Sequence, residues 1–122
     1  MTILKFLLAF AIAASTASAN AADAKKGQAA FAVCQACHTA NKGGSNGIGP
    51  NLFKVVGRKA ASLPGFYYSP SLKSANLVWT DDKLKAWVMG PSKVVPGTRM
   101  VFAGVSDPNR AADIVAYLDT LK

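Results

Sequence analysis

Apolar residues recur at helical spacing in three stretches of this chain, and nowhere do they alternate as in a strand. Asp23 reads as the N-cap of a first helix running to about Cys34, with Gly27, Ala30, Phe31 and Cys34 at i, i+3, i+4 and i+7 on one face. Thr80 caps a second, with Asp81 and Asp82 in its first turn, where the helix dipole favours negative charge. Leu84, Trp87 and Val88 form its apolar face, and Gly90-Pro91 stops it. The third is the clearest: Asp107 caps it, Pro108 takes the first helical position, and Ala111, Ile114, Val115 and Leu118 make the stripe, widened by Tyr117 and Leu121.

The intervening segments read as loops. Asn41 to Pro50 is rich in glycine and polar residues, and Leu52 to Val56 makes at best a short helix. Pro64-Gly65 is a turn, with Phe66, Tyr67 and Tyr68 close behind. Ser92 to Gly104 is irregular, and its Pro96-Gly97 suits the two centres of a type II turn. The pattern predicts an all-α chain whose long loops need something inside to hold them.

The first residues change the count of what folds. Lys5 gives a small positive region, Phe6 to Ala14 an apolar run, and Ala17-Ser18-Ala19 the small residues of a cleavage site. Residues 1–19 therefore read as a secretory signal peptide, cleaved after Ala19 or as late as Ala21, and 20–122 as the single domain. The run is shorter than the ~20 apolar residues that cross a bilayer, so stable membrane insertion is not expected, although an uncleaved anchor is the alternative. Export implies the periplasm.

Without Lys5 there remain 13 Lys and Arg against 6 Asp, so the formal charge of +8 becomes +7. Such a charge favours acidic partners. Nucleic acid is excluded as a partner by the lack of any basic run beyond Lys25-Lys26 and Arg58-Lys59, and of any recognition motif. An acidic protein face fits better. A mature chain of about 100 residues buries only a modest core, and a disulfide across a three-residue spacing closes too small a loop to stabilise it much.

Both cysteines and the only histidine fall in five residues, Cys34-Gln35-Ala36-Cys37-His38. This C-x-x-C-H spacing is that of a c-type haem attachment site, in which two thiols on one helical turn add to the two vinyl groups and the imidazole takes the iron. A dithiol oxidoreductase would need a βαβ pattern that is missing here. A zinc site would need a fourth ligand. If His38 takes one axial position, the candidates for the other are Met100 and Met89, with a lysine or the N-terminal amine as distant fallbacks, since no second histidine exists. Met89 lies off the apolar face of its helix, whereas Met100 ends a turn-stiffened loop. A thioether raises the reduction potential relative to a second imidazole. With both positions filled, no site stays open for oxygen or substrate, which favours electron transfer over catalysis. The competing class is an open-haem peroxidase or gas-binding sensor. It would need a distal acid–base group, and the chain has no second His and no Glu.

Beyond the five-residue motif, Gly49-Pro50-Asn51-Leu52, Gly57-Arg58-Lys59, Pro64-Gly65-Phe66, Trp79, Pro96-Gly97-Thr98-x-Met100-x-Phe102-x-Gly104 and Ala116-Tyr117-Leu118 resemble class I cytochrome c, of the mitochondrial and bacterial c2 types. The likeness runs from about Asp23 to Leu121. It implies three main helices plus short helices and long loops wrapped around one haem c, held by thioethers to Cys34 and Cys37, with His38 and Met100 as axial ligands. It further implies that the Pro50 carbonyl accepts from His38 Nδ1, and that Tyr68 and Trp79 bond a buried propionate with Arg58 offsetting its charge. Thr98 would hold the Met100 side of the pocket, Phe102 would cover the ring, and Gly27 would let the first helix meet the last against Tyr117. The implied function is a monomeric, soluble one-electron carrier and not an enzyme. It would run between a quinol-oxidising cytochrome bc1 complex or other donor and a terminal oxidase (cytochrome c oxidase), reductase or photosynthetic reaction centre, docking on their acidic faces.

Two departures stand out. Trp87 occupies the place where the family usually has a tyrosine beside the methionine ligand, and indole donates but cannot accept a hydrogen bond. Where mitochondrial members ring the haem edge with lysines, this chain has Val33, Ser45, Gly47 and Ser92, keeping only Lys42, Lys93 and Arg99.

Overall fold

Two helices from opposite ends of the chain, α1 (Ala24–Ala30) and α5 (Pro108–Asp119), cross against each other. The crossing depends on Gly27, because a Cβ there would fall on the backbone carbonyl of Asp113. One turn on, Phe31 and Tyr117 meet as tilted rings with centroids 5.2 Å apart. Gly27 thus meets Asp113 and Ile114 rather than Tyr117, whose partner is Phe31. The Asp23 amide donates to Asp113 Oδ1 at 2.7 Å, tying the start of α1 to the same place. The computed structural model describes Ala9, Ala11 and residues 21–122, so the signal-peptide reading of 1–19 lies, those two alanines apart, outside the described residues.

Capping follows side-chain chemistry. The Asp23 carboxylate accepts from the Lys25 and Lys26 amides, Thr80 caps α3 (Asp81–Met89) through the Lys83 amide, and Asp107 caps α5 through that of Asn109. α1 is shorter than its sequence predicts: from Phe31 to Cys34 the chain tightens into a 3-10 turn. The stretch Leu52 to Val56 forms turns and no helix. Two short helices escape the hydrophobic pattern. α2 (Pro70–Ser74) is capped by Ser69, and α4 (Pro91–Val94) starts on the proline that ends α3; both carry proline in the first turn. The described residues contain no strand, only one antiparallel bridge between Lys59 and Val78.

The core is the meeting of the predicted stripes. Leu84, Trp87 and Val88 of α3 and Ala111, Ile114, Val115 and Leu118 of α5 are all buried, with Phe31 from the α1 side. Fully burying a residue such as Phe31 or Ile114 contributes about 1.5–3 kcal/mol. Two loops are pinned to this frame by long-range backbone bonds, Lys54 N–H to the Leu121 carbonyl at 2.8 Å and Val105 N–H to Val88 at 2.9 Å. The 57–60 and 77–79 segments tie to each other through Gly57 N–H to Trp79, Trp79 N–H to Arg58 and Ala60 N–H to Leu77, each at 2.8 Å.

Candidate functional site

Inside this frame lies a cavity of about 460 Å³. Its walls include Phe31, Leu52, Leu72, Leu84, Val88, Ile114 and Leu118. All eleven candidate site residues line it: Cys34, Cys37, His38, Pro50, Arg58, Tyr68, Trp79, Trp87, Thr98, Met100 and Phe102. Met89, the other methionine considered as a ligand, is not among the lining residues.

His38 is placed by its backbone and by its ring. Its amide donates to the Cys34 carbonyl at 2.9 Å, which continues the turn carrying the two thiols. Its Nδ1 lies 2.7 Å from the Pro50 carbonyl and donates to it, so Nε2 is the nitrogen left for a metal. Gly49 makes room for the ring, since a Cβ there would fall on the imidazole. Burial pushes the imidazole below its ordinary pKa, with the Pro50 bond partly opposing, so the ring is neutral at neutral pH and able to bind iron. Burial, and the nearby Cys37, push the Cys34 thiol upward, the reverse of what a redox dithiol requires. The two cysteines form no disulfide.

Asn51, given no role from sequence, organises the loop that supplies Pro50. Its amide nitrogen Nδ2 donates to Thr39 Oγ1 at 2.8 Å and to the Asn41 carbonyl at 2.9 Å, while its Oδ1 accepts from Phe53 N–H at 3.0 Å. Its place in the Gly49-Pro50-Asn51 run was the only signal for it.

At another part of the wall stand the polar groups. Arg58 donates to the carbonyls of Asn51 at 3.1 Å and Phe53 at 2.5 Å. Burial lowers its pKa, the neighbouring Tyr68 hydroxyl opposing, yet guanidinium stays charged at neutral pH. The Tyr68 hydroxyl accepts from Leu63 N–H at 3.2 Å, which leaves its proton to donate. Burial raises its pKa, so it remains a phenol. Trp79 packs edge-on against Trp87 with centroids 5.0 Å apart. Trp87 Nε1 in turn donates to the Met100 sulfur at 3.1 Å.

These residues fit a haem c. The cavity is largely apolar, offers a charged guanidinium, a phenol and an indole for acid side chains, and presents one imidazole and one thioether as donors. Left to itself, this apolar lining would face water, so a bulky apolar group belongs there.

Comparisons with known proteins agree with this chemistry. The family model described as Cytochrome c matches residues 24–122. The chain is 38% identical over 109 residues to cytochrome c2 of Blastochloris viridis, covering 89% of this chain and 86% of that one. It is 40% identical over 121 residues to cytochrome c2 of Rhodomicrobium vannielii, covering 98% and 97%. Among solved structures, cytochrome cH from Methylobacterium extorquens superposes with a TM-score of 0.75 at 49% identity, covering 80% of this chain and 98% of that one. A monohaem electron carrier is the class of protein that fold and cavity define. The chain belongs to the cytochrome c family, as a class I c-type cytochrome whose haem c is covalently bound. Members of this family transfer electrons and are not enzymes.

Proposed function

We propose that the protein is a periplasmic one-electron shuttle with Cys34 and Cys37 as thioether positions and His38 and Met100 as axial ligands. The supporting observation is that a neutral imidazole, fixed through Nδ1, and a thioether, fixed by an indole, line the same cavity. When bound, the haem supplies a ferric/ferrous couple that takes and returns one electron.

The chain's own residues do the rest. The Pro50 carbonyl orients the His38 ring, and Trp87 orients the Met100 sulfur. Phe31, Leu72, Val88, Ile114 and Leu118 exclude water. Arg58, Tyr68 and Trp79 meet the acid side chains, Thr98 supports the Met100 side, and Phe102 covers the mouth. A ligand set that does not change with redox state, in a packed apolar pocket, keeps reorganisation small.

As with other carriers of its kind, the donor would be a quinol-oxidising complex of the cytochrome bc1 type. The acceptor would be an oxidase, a reductase or a photosynthetic reaction centre. Residues 1–19 would direct export, leaving 20–122 as the working domain. No helix among the described residues is long and apolar enough to cross a membrane. An open-haem peroxidase or gas sensor is disfavoured because, among the described residues, no carboxylate and no second histidine line the cavity.

A coulometric titration tests the proposal. The account expects one electron per chain, taken up and returned reversibly with a six-coordinate spectrum in both states. Peroxide turnover at enzymatic rates would favour the alternative.

A further inference from the structure

The segment that carries Met100 is weakly tied by its backbone. After the turn closed by Thr98 N–H on the Val95 carbonyl (3.2 Å), the next backbone bond is Val105 N–H to Val88. Among the described residues, no backbone group from 99 to 104 bonds to another. Side chains must therefore hold this strap. One tie is the Trp87 bond to Met100. The other is made by its neighbour, Arg99.

The Arg99 guanidinium sits 4.4 Å from the centroid of the Tyr67 ring and donates to the Tyr68 carbonyl at 3.4 Å. Both partners lie in the 66–69 segment, distant in sequence from the strap, and Tyr67 and Arg99 both line the cavity. Tyr67 is otherwise hard to account for: a large aromatic side chain left 71% exposed. Its use is as a π face, and Lys73 Nζ also lies 5.1 Å from its centroid. Lys73 belongs to α2 and has no link to the strap, so of the two cations only Arg99 connects the strap to the ring.

We propose that Arg99 on Tyr67 is a latch that positions Met100, biasing the strap toward the closed state in which the sulfur faces the cavity. The inference rests on Met100 being the second ligand of the iron. The long hydrogen bond adds little, so the ring contact dominates. A surface cation–π contact corresponds to roughly a two- to five-fold bias in an equilibrium.

The test is the affinity of imidazole for the ferric, haem-loaded protein, since external imidazole binds only when Met100 leaves. Arg99→Ala and Tyr67→Ala should each raise that affinity about two- to five-fold. Their combination should raise it no further than the larger single effect, because one contact is lost in all three. Tyr67→Phe keeps the π face but loses the phenol that also meets Arg99, and should raise the affinity by less than Tyr67→Ala does. Lys73→Ala removes a charge from the same ring without touching the strap and should match the wild type. Additive effects in the double variant, or an unchanged affinity in either single alanine variant, would overturn the latch. Met100→Ala separates the two levels. If it tightens imidazole strongly while Arg99→Ala does nothing, the latch alone is wrong. If it changes nothing, the ligand assignment fails and the latch with it.

Discussion

Trp87 Nε1 lies 3.1 Å from the sulfur of Met100 and donates to it. The direction follows from the chemistry, because indole nitrogen is a donor only. One sulfur lone pair is then engaged by the indole and the other is available to the iron. A hydrogen bond to the thioether draws density off the sulfur, weakens its donation, and so favours the ferrous state. Trp87→Phe should therefore lower the reduction potential. A bond of about 0.5–1.5 kcal/mol sets the upper limit near 60 mV for one electron. Redox titration checks this, with Trp87→Tyr as the variant that restores a hydroxyl donor. An unchanged potential and unchanged alkaline ligand exchange in both would remove Trp87 from any role in tuning the iron.

The docking surface has its own signature. Among the described residues no lysine lines the cavity, whereas Val33, Ile48 and Val101 line it and are exposed. Charge steers encounters and is screened by salt, while apolar contact is not. The rate of electron delivery to oxidase-containing membranes should thus fall less steeply with ionic strength than that of a lysine-ringed mitochondrial cytochrome c. Val33→Lys together with Ser92→Lys should steepen the slope. An equal slope in the wild type and the lysine-ringed protein would show that charge outside the mouth does the steering.

A pH-dependent effect arises at a residue that does not line the cavity. Burial first, and the facing Asp81 second, raise the Asp119 carboxyl above its ordinary pKa of 3.8. Asp119 also ends α5, where the dipole disfavours negative charge. Because its pKa is raised in the folded state, its contribution to stability is intact below the unfolded value and lost as pH rises through the folded one. Asp119→Asn should then stabilise the protein at pH 7 by a few tenths of a kcal/mol, a gain that vanishes below about pH 4. Denaturant midpoints across that range measure it. A constant gain at every pH would assign the effect to something other than this carboxylate.

How much of this could be read beforehand depends on how local its causes are. The stripe of α5, its Asp107 cap and Pro108 are local, and they fold as their spacing predicts. The same holds for Thr80 and the buried face of α3. α2 and α4, five and four residues long, are too short to show a stripe, although Ser69-Pro70 and Gly90-Pro91 carried the start signals. The 3-10 ending of α1 is set where the chain turns to present Cys34, Cys37 and His38, a demand of the cavity rather than of residues 31–34. Of the cavity-lining residues, Cys34, Cys37, His38 and Met100 were legible from their own spacing and chemistry, and Pro50, Arg58, Tyr68, Trp79, Trp87, Thr98 and Phe102 through family likeness, whereas Ile48, Val55 and Ala61 were not. What that likeness did not show was how they are held. Arg58 reaches two carbonyls of the 51–53 segment, Asn51 knits the loop behind Pro50, and Arg99 stacks on Tyr67. Those contacts join segments distant in sequence or within irregular loops, where no periodicity reports them.

The central claim is that His38 and Met100 together close the iron. The most direct measurement is the absorption spectrum of the ferrous protein before and after carbon monoxide is added. The account predicts an unchanged six-coordinate spectrum on the timescale of mixing. Rapid carbon monoxide binding would contradict it, because it would mean that Met100 leaves an axial position open.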